Sequence, residues 1–200
     1  MYVVFLAGGI ASGKSSAARL LEDAGCVRID LDQISRTVLE SGGPCLDALA
    51  QAFGGDIVDA RTGALDRALL AARAFATPEN AALLERIEIP FIVEHLRAQL
   101  DSLKDRKGIA VVEVPLLDRF EEHPCHVDEI VYVHAPRSVR RARAIARGMD
   151  AADFDVRDDR QPSEDYLFSH ADTILDNSGT PDDLARATRA WWERRRAAAG

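Results

Sequence analysis

Two hundred residues, 47% of them hydrophobic, are enough for one sizeable core with length left over for insertions, and a single α/β domain is expected. A net charge of -8 argues against a protein whose main task is holding a nucleic-acid backbone, although local basic stretches can still grip a small polyanion. No early stretch has the pattern of a signal peptide and no segment approaches membrane-spanning length, so no membrane partner is expected.

The first apolar run, residues 2–6, reads as a buried strand, and residues 15–22 read as a helix that ends near Gly25. Between them GGIASGKS matches G-x-x-x-x-G-K-[ST], with Gly8, Gly13, Lys14 and Ser15 in register. Glycines let such a loop curl until its backbone N–H groups converge on phosphate oxygens, and the positive end of the following helix adds a favourable field. Lys14 is placed to reach the outer phosphates of a nucleotide, and the Ser15 hydroxyl to ligate magnesium. The plainer alternative is a tight strand-to-helix turn that merely uses glycine.

A short apolar run at residues 26–29 follows and ends in Asp30-Leu31-Asp32, at the edge where ligands collect in open parallel sheets. Residues two apart on an extended segment face the same way, so Asp30 and Asp32 are expected to point together toward a bound nucleotide. Alternatively, Asp32 simply caps a helix over residues 33–40. From residue 42 to 103 the pattern is helical, broken at Gly42-Gly43-Pro44, at Phe53-Gly54-Gly55 and at a turn over Arg61-Thr62-Gly63. Thr77-Pro78-Glu79 starts a helix cleanly, and Pro90 is expected to bend or restart it. Sixty residues of helix exceed what a simple crossover needs, so an insertion that builds a substrate pocket is expected, with Arg67 available for a substrate phosphate or else for a surface ion pair.

Residues 109–112 form a third strand leading into Glu113, an acid whose position suits the water shell of a magnesium ion, unless it merely faces solvent. His123, Cys125 and His126 lie close in sequence but lack a complementary ligand pair, so a polar loop is read there. Cys26, Cys45 and Cys125 are far apart and are expected to be reduced thiols. A fourth strand spans residues 129–134, and Pro136 opens a helix carrying Arg137, Arg140, Arg141, Arg143 and Arg147. Arg143 and Arg147, four apart, share a helical face that can turn toward a triphosphate, while most of these arginines are expected to be solvated. Residues 148–159 are acidic and poor in aliphatic side chains, which reads as a mobile lid. A short helix over residues 163–169, a last strand over 171–175, the turn Asp176-Asn177-Ser178-Gly179 and a helix begun by Thr180-Pro181-Asp182-Asp183 complete the chain. Trp191 and Trp192, adjacent on that helix, cannot both face the core.

Taken in order, GGIASGKS, the run IDLDQISR from Ile29 to Arg36, Phe53-Gly54, Gly63-Ala64-Leu65-Asp66-Arg67 and Phe75 resemble the dephospho-coenzyme A kinase family. The resemblance continues through Val114-Pro115-Leu116-Leu117, Arg143 with Arg147, Gln161, and Ala171-Asp172 leading into Asp176-Asn177-Ser178-Gly179. It implies a phosphate-loop kinase with a five-stranded parallel sheet flanked by helices, a helical substrate-binding insertion and a lid. The nucleotide-binding core would span residues 1–41, 105–137 and 171–200, with the insertion at 42–104 and the lid at 138–170. The implied reaction is transfer of the ATP γ-phosphoryl group to the ribose 3'-hydroxyl of dephospho-coenzyme A, with magnesium, in the cytoplasm.

By the same resemblance Asp32 is the catalytic base, assisted by Lys14 and Arg143. ATP would be held by Gly9, Ile10, Ala11, Ser12, Gly13, Lys14, Ser15, Ser16, Arg143 and Asn177. The acceptor would meet Asp30, Asp32, Arg67, Pro115 and Leu116, and the metal would meet Ser15 and, through water, Glu113. The chain departs from the family pattern at Ala7, Ala11, Ile89, Leu167 and Asp118-Arg119. Ile89 stands where a histidine is usual, so a different small-alcohol or nucleotide acceptor, or a nucleotide-binding regulatory protein with decayed catalysis, remains an alternative. Oligomeric state is open from the pattern, with a monomer favoured.

Overall fold

β1 (Tyr2–Ala7) is buried from Val3 onward, the condition of a strand covered on both faces. The computed structural model describes residues 1–120 and 125–197. Around β1 stand β2 (Val27–Asp30), β3 (Ile109–Val114), β4 (Glu129–His134) and β5 (Thr173–Asp176), in the order β2-β3-β1-β4-β5. Every pairing is parallel. Ala7 lies opposite Val114, and Asp30 opposite Glu113, so the loop after β1 and both acids share the carboxyl edge of the sheet.

Two compact units are present, one made of residues 1–30 with 103–200 and one of residues 31–102. In the first, α1 (Lys14–Asp23) and α9 (Pro181–Arg196) cover one sheet face. Ala17, Ala18, Leu21, Leu184 and Trp191 pack there with Val4, Leu6, Val111, Val131, Val133 and Leu175. Trp191 is fully buried whereas Trp192 is only partly so, which settles how adjacent tryptophans share the helix. α9 begins with a complete capping box: the Thr180 hydroxyl accepts from the Asp183 N–H while the Asp183 carboxylate accepts from the Thr180 N–H.

The first unit also holds α6 (Arg137–Ala146), α7 (Ala151–Asp158) and α8 (Glu164–His170). The segment expected to be a mobile stretch therefore contains a helix, α7, and Phe154 on it is fully buried. Charge supplies the rest: Asp155 receives Arg137 and Arg141, and Asp158 receives Arg137 and Arg140. Composition alone hid this, because one aromatic and paired charges do the holding that aliphatics do elsewhere. Leu167, one of the departures from the family pattern, is buried on α8.

The second unit contains α2 (Leu31–Val38), α3 (Pro44–Phe53), α4 (Arg67–Ala74) and all but the last residue of α5 (Pro78–Leu103). Its core joins Leu39, Cys45, Leu49, Phe53, Ile57, Leu70 and Ala74. The expected turn at Gly63 is present, with φ of 71°, and the Asp59 carboxylate accepts from the N–H groups of Arg61 and Thr62. α5 runs through Pro90 as one helix, so the chain does not restart there. All three cysteines are free, and burial pushes the Cys26 and Cys45 thiols up to about 11, which keeps them protonated near neutral pH. Among the described residues no helix is long and apolar enough to cross a membrane.

Candidate active site

The loop between β1 and α1 has the backbone that its glycines foretold. Gly13 caps α1 with φ of 101°, a left-handed conformation natural to glycine. Ser12 N–H donates to the Gly9 carbonyl at 3.0 Å, closing a tight turn inside the loop. Space is as limiting as conformation, since a Cβ on Gly13 would stand 2.2 Å from Asn177 Nδ2 and one on Gly8 would stand 2.6 Å from Ser12 Oγ. Ala11 holds φ of 58° without being glycine, an uncommon conformation for an L-residue. Ile10 belongs to the same loop, and its carbonyl accepts from Arg140 Nη1 at 3.4 Å.

At the adjoining strand ends Glu113 is 2% exposed, so it is not the solvent-facing glutamate of the plainer expectation. Ser15 Oγ donates to its Oε2 at 2.9 Å, while Arg28 Nε and Nη2 both reach its Oε1 at 2.6 Å. Arg28 Nη2 also lies 3.6 Å from Asp30, and Arg28 Nη1 lies 3.5 Å from Glu22. In sequence Arg28 lies within the run of residues 26–29 that reads as apolar. A charged residue inside a strand of four was the available signal.

Beside the loop a cavity of about 410 Å³ is walled by Ala11, Gly13, Ser16, Arg143, Arg147 and Asn177, among others. Arg143 Nη2 donates to the Gly179 carbonyl at 3.0 Å, while its Nη1 is buried with no hydrogen-bond partner among the described residues. Asn177 is itself buried, and its Nδ2 donates to the Ser12 carbonyl at 2.7 Å. The asparagine expected as a turn residue and a nucleotide contact is thus bonded to the loop itself.

Other expected residues lie as follows. Pro115 and Leu116 directly follow β3 and are half-buried. Asp30 ends β2, and the chain turns helical at Leu31, so Asp32 sits exposed in the first turn of α2. The alternation that was to align Asp30 with Asp32 therefore does not apply, because the backbone between them is not extended. Within the second unit Arg67 is the exposed first residue of α4, behind Asp66, whose carboxylate accepts from Leu69 N–H at 2.9 Å. On α5, Glu88 accepts from Ser35 Oγ at 2.7 Å. Burial raises the Glu88 carboxyl above its ordinary value, opposed by the Ser35 hydrogen bond and the charge of Arg67. Ile89, next to it, is half-buried. His126 Nε2 pairs with Asp128 at 2.9 Å, His123 lies outside the described residues, and no metal-binding cluster of three such side chains occurs among the described ones.

A parallel sheet ordered β2-β3-β1-β4-β5, with a glycine-rich loop running from its central strand into a helix, is the architecture of the phosphate-loop kinases. The same fold is seen in the crystal structure of TT1252 from Thermus thermophilus, with a TM-score of 0.80 and 29% identity over 96% of this chain and 97% of that one. It is also seen in the dephospho-CoA kinase from Campylobacter jejuni, a likeness of fold alone, with a TM-score of 0.67 and 21% identity over 96% of each chain. In sequence, a dephospho-CoA kinase of Corynebacterium diphtheriae is 38% identical over 197 residues, 97% of both chains, and the dephospho-CoA kinase family (CoaE) matches residues 2–183. The chain belongs to the dephospho-CoA kinase family.

Proposed function

We infer that this chain is a cytoplasmic kinase that transfers the γ-phosphoryl group of ATP to the ribose 3'-hydroxyl of dephospho-coenzyme A, the last step of coenzyme A synthesis. The observation that carries the acceptor is the family match across residues 2–183, which takes in the loop, Asp32 and Arg67 together. The donor half rests on geometry. Amides of the loop from Gly9 to Ser16 and the Lys14 ammonium hold the β- and γ-phosphates. The nucleoside occupies the cavity walled by Arg143, Arg147 and Asn177, where Arg143 Nη1, without a hydrogen-bond partner among the described residues, supplies a donor.

The residues present fit a magnesium ion. Ser15 gives its hydrogen to Glu113, which leaves the hydroxyl lone pairs for a hard cation, and the donor set is all oxygen. Ser15 would hold the ion directly, and Glu113 would hold a water of its shell. The ion supplies charge neutralisation on the phosphates. The lid of residues 138–170 excludes water from the reaction.

Asp32 accepts the proton of the 3'-hydroxyl as that oxygen bonds to the γ-phosphorus, and the bond from phosphorus to the bridging oxygen breaks to release ADP. In such a loose transition state alignment matters more than basicity, which suits an exposed carboxylate at a helix start. Arg67 holds the acceptor's phosphates, and Asp30, Pro115 and Leu116 line its path. The test is ADP release from purified protein with magnesium and ATP against dephospho-coenzyme A, adenosine and AMP. Dephospho-coenzyme A is expected to stimulate release. Stimulation only by another acceptor would replace this assignment with a nucleoside or nucleotide kinase, and none by any acceptor would favour a regulatory nucleotide-binding protein.

A further inference from the structure

Three carboxylates, those of Glu22, Asp30 and Glu113, converge on the single guanidinium of Arg28 on β2. Two of its nitrogens reach Glu113 Oε1 at 2.6 Å, a contact far shorter than those to Glu22 and Asp30. On the other side of the same carboxylate Oε2 accepts from Ser15 Oγ at 2.9 Å, where Ser15 follows Lys14, the first residue of α1. Arg28, Glu113 and Ser15 thus form a short chain from β2 through β3 to the phosphate loop. A purely architectural need would not call for it. The strands are already joined by backbone pairing, Arg28 opposite Val111 and Asp30 opposite Glu113, and apolar side chains commonly replace a buried ion pair with no loss of stability.

We propose that Arg28 is a charge-balancing and positioning residue of the nucleotide site. By neutralising Glu113 beside Ser15, it lets the loop accept the triphosphate even before a divalent cation is in place. With Arg28 present, Glu113 is held as a fixed acceptor that orients the Ser15 hydroxyl, and its negative charge is cancelled at short range. Without Arg28, the Glu113 carboxylate presents its negative charge beside Ser15 to a ligand that carries about four. Metal-free ATP would then be repelled, and binding would come to depend on the cation to screen that repulsion. The inference rests on the assignment of the loop as the ATP site.

The experiment is calorimetric titration of ATP into the intact protein, once with chelator and once with excess magnesium, compared as the ratio of the two Kd values. Arg28→Val is expected to weaken metal-free ATP about tenfold and magnesium-ATP about twofold or less, raising the ratio. Arg28→Lys keeps the charge and should hold the ratio near that of the parent. Glu113→Gln removes the opposing charge and should strengthen metal-free ATP binding, moving the ratio the other way. Arg28→Val combined with Glu113→Gln should return it toward the parent value. Melting temperatures of all variants identify any that fails to fold, and Glu113→Gln with Arg28→Lys then carries the comparison. Ratios unchanged across the folded variants would overturn the role of Arg28 while leaving the kinase assignment standing. A parent protein that binds no ATP under either condition would overturn both.

Discussion

Asn177 Nδ2 donates to the carbonyl oxygen of Ser12 at 2.7 Å, joining the turn after β5 to the phosphate loop across 165 residues of sequence. The backbone N–H of Asn177 meanwhile donates to His134 O at 2.7 Å, so the asparagine is fixed from both sides. Removing a buried donor leaves its partner unsatisfied, at about 1–3 kcal/mol. Asn177→Ala should therefore lower Tm and weaken ATP binding, both measured on the purified protein. Asn177→Asp puts an acceptor against the Ser12 carbonyl and should do no better. A parent-like Kd for ATP in that variant would show that the amide is not what shapes the loop.

Ala11 occupies the left-handed region inside the loop, a conformation that costs an L-residue roughly 1–2 kcal/mol. Glycine would remove that cost but lose more freedom on folding, by about 0.5–1 kcal/mol. Ala11→Gly is expected to gain on the order of 0.5 kcal/mol, a rise of one or two degrees in Tm for a chain of this size. A drop in Tm on calorimetry would mean that the alanine methyl contributes packing that outweighs its backbone cost.

Arg140 and Asp158 form an ion pair whose side chains are 12% and 9% exposed. Arg140 also reaches the loop carbonyl of Ile10, and a Cβ on Gly9 would stand 2.9 Å from its Nη1, so α7 and the phosphate loop share one cation. Breaking a buried pair from one side costs about 3–5 kcal/mol, because a charge is stranded. Asp158→Ala should lower Tm by on the order of 10 °C and weaken ATP binding. Arg140→Gln combined with Asp158→Asn should recover much of the stability, and a double-mutant cycle that shows no coupling would disprove the link.

Glu129 sits 3% exposed at the start of β4 and accepts from Tyr2 Oη, Thr173 Oγ1, Trp191 Nε1 and Arg195 Nε and Nη2. Burial alone would raise its pKa, but the hydrogen bonds from Arg195, Thr173 and Trp191 and the Arg195 charge outweigh it and hold the carboxyl at about 2. A folded-state pKa below the ordinary 4.5 gives stability that is fully present above pH 4.5 and is lost as pH falls from there toward about 2. The contribution at neutral pH is on the order of 3 kcal/mol. Glu129→Gln should thus lower Tm clearly at pH 7 and progressively less toward pH 3. A constant difference across that range would refute the linkage.

Asp32 is exposed in the first turn of α2, and Lys14 opens α1. If Asp32 acts on the acceptor hydroxyl, Asp32→Asn should reduce kcat by two orders of magnitude or more, with Kd for ATP little changed. Lys14→Ala should lower kcat and raise the Kd for ATP. Surviving kcat with collapsed ATP affinity in the Asp32 variant would move that residue to nucleotide binding.

Much of the fold was legible because its elements announce themselves locally. The apolar run of β1, the glycine spacing of the loop and the Thr180-Pro181 start of α9 each declare an element through a few adjacent residues, and each element is present. Helix α7 was less legible, since its stability comes from Phe154 and from arginines on another helix rather than from its own composition. The relation expected between Asp30 and Asp32 failed for a local reason: the strand ends one residue earlier than alternation requires.

By itself the sequence determined the phosphate cradle, the parallel α/β architecture and the likeness that led to the family, because each is written in short-range spacing or in ordered landmarks. Tertiary structure alone decided what surrounds the cradle. Ser15 meets Glu113 across 98 residues, Arg28 meets Glu113 across 85 and Asn177 meets Ser12 across 165. Such pairs depend on which strand lies beside which and in what register, quantities fixed by the packing of the whole sheet. No local pattern carries them, and that is why an arginine in a four-residue strand passed for part of an apolar run until the sheet set it against a buried acid.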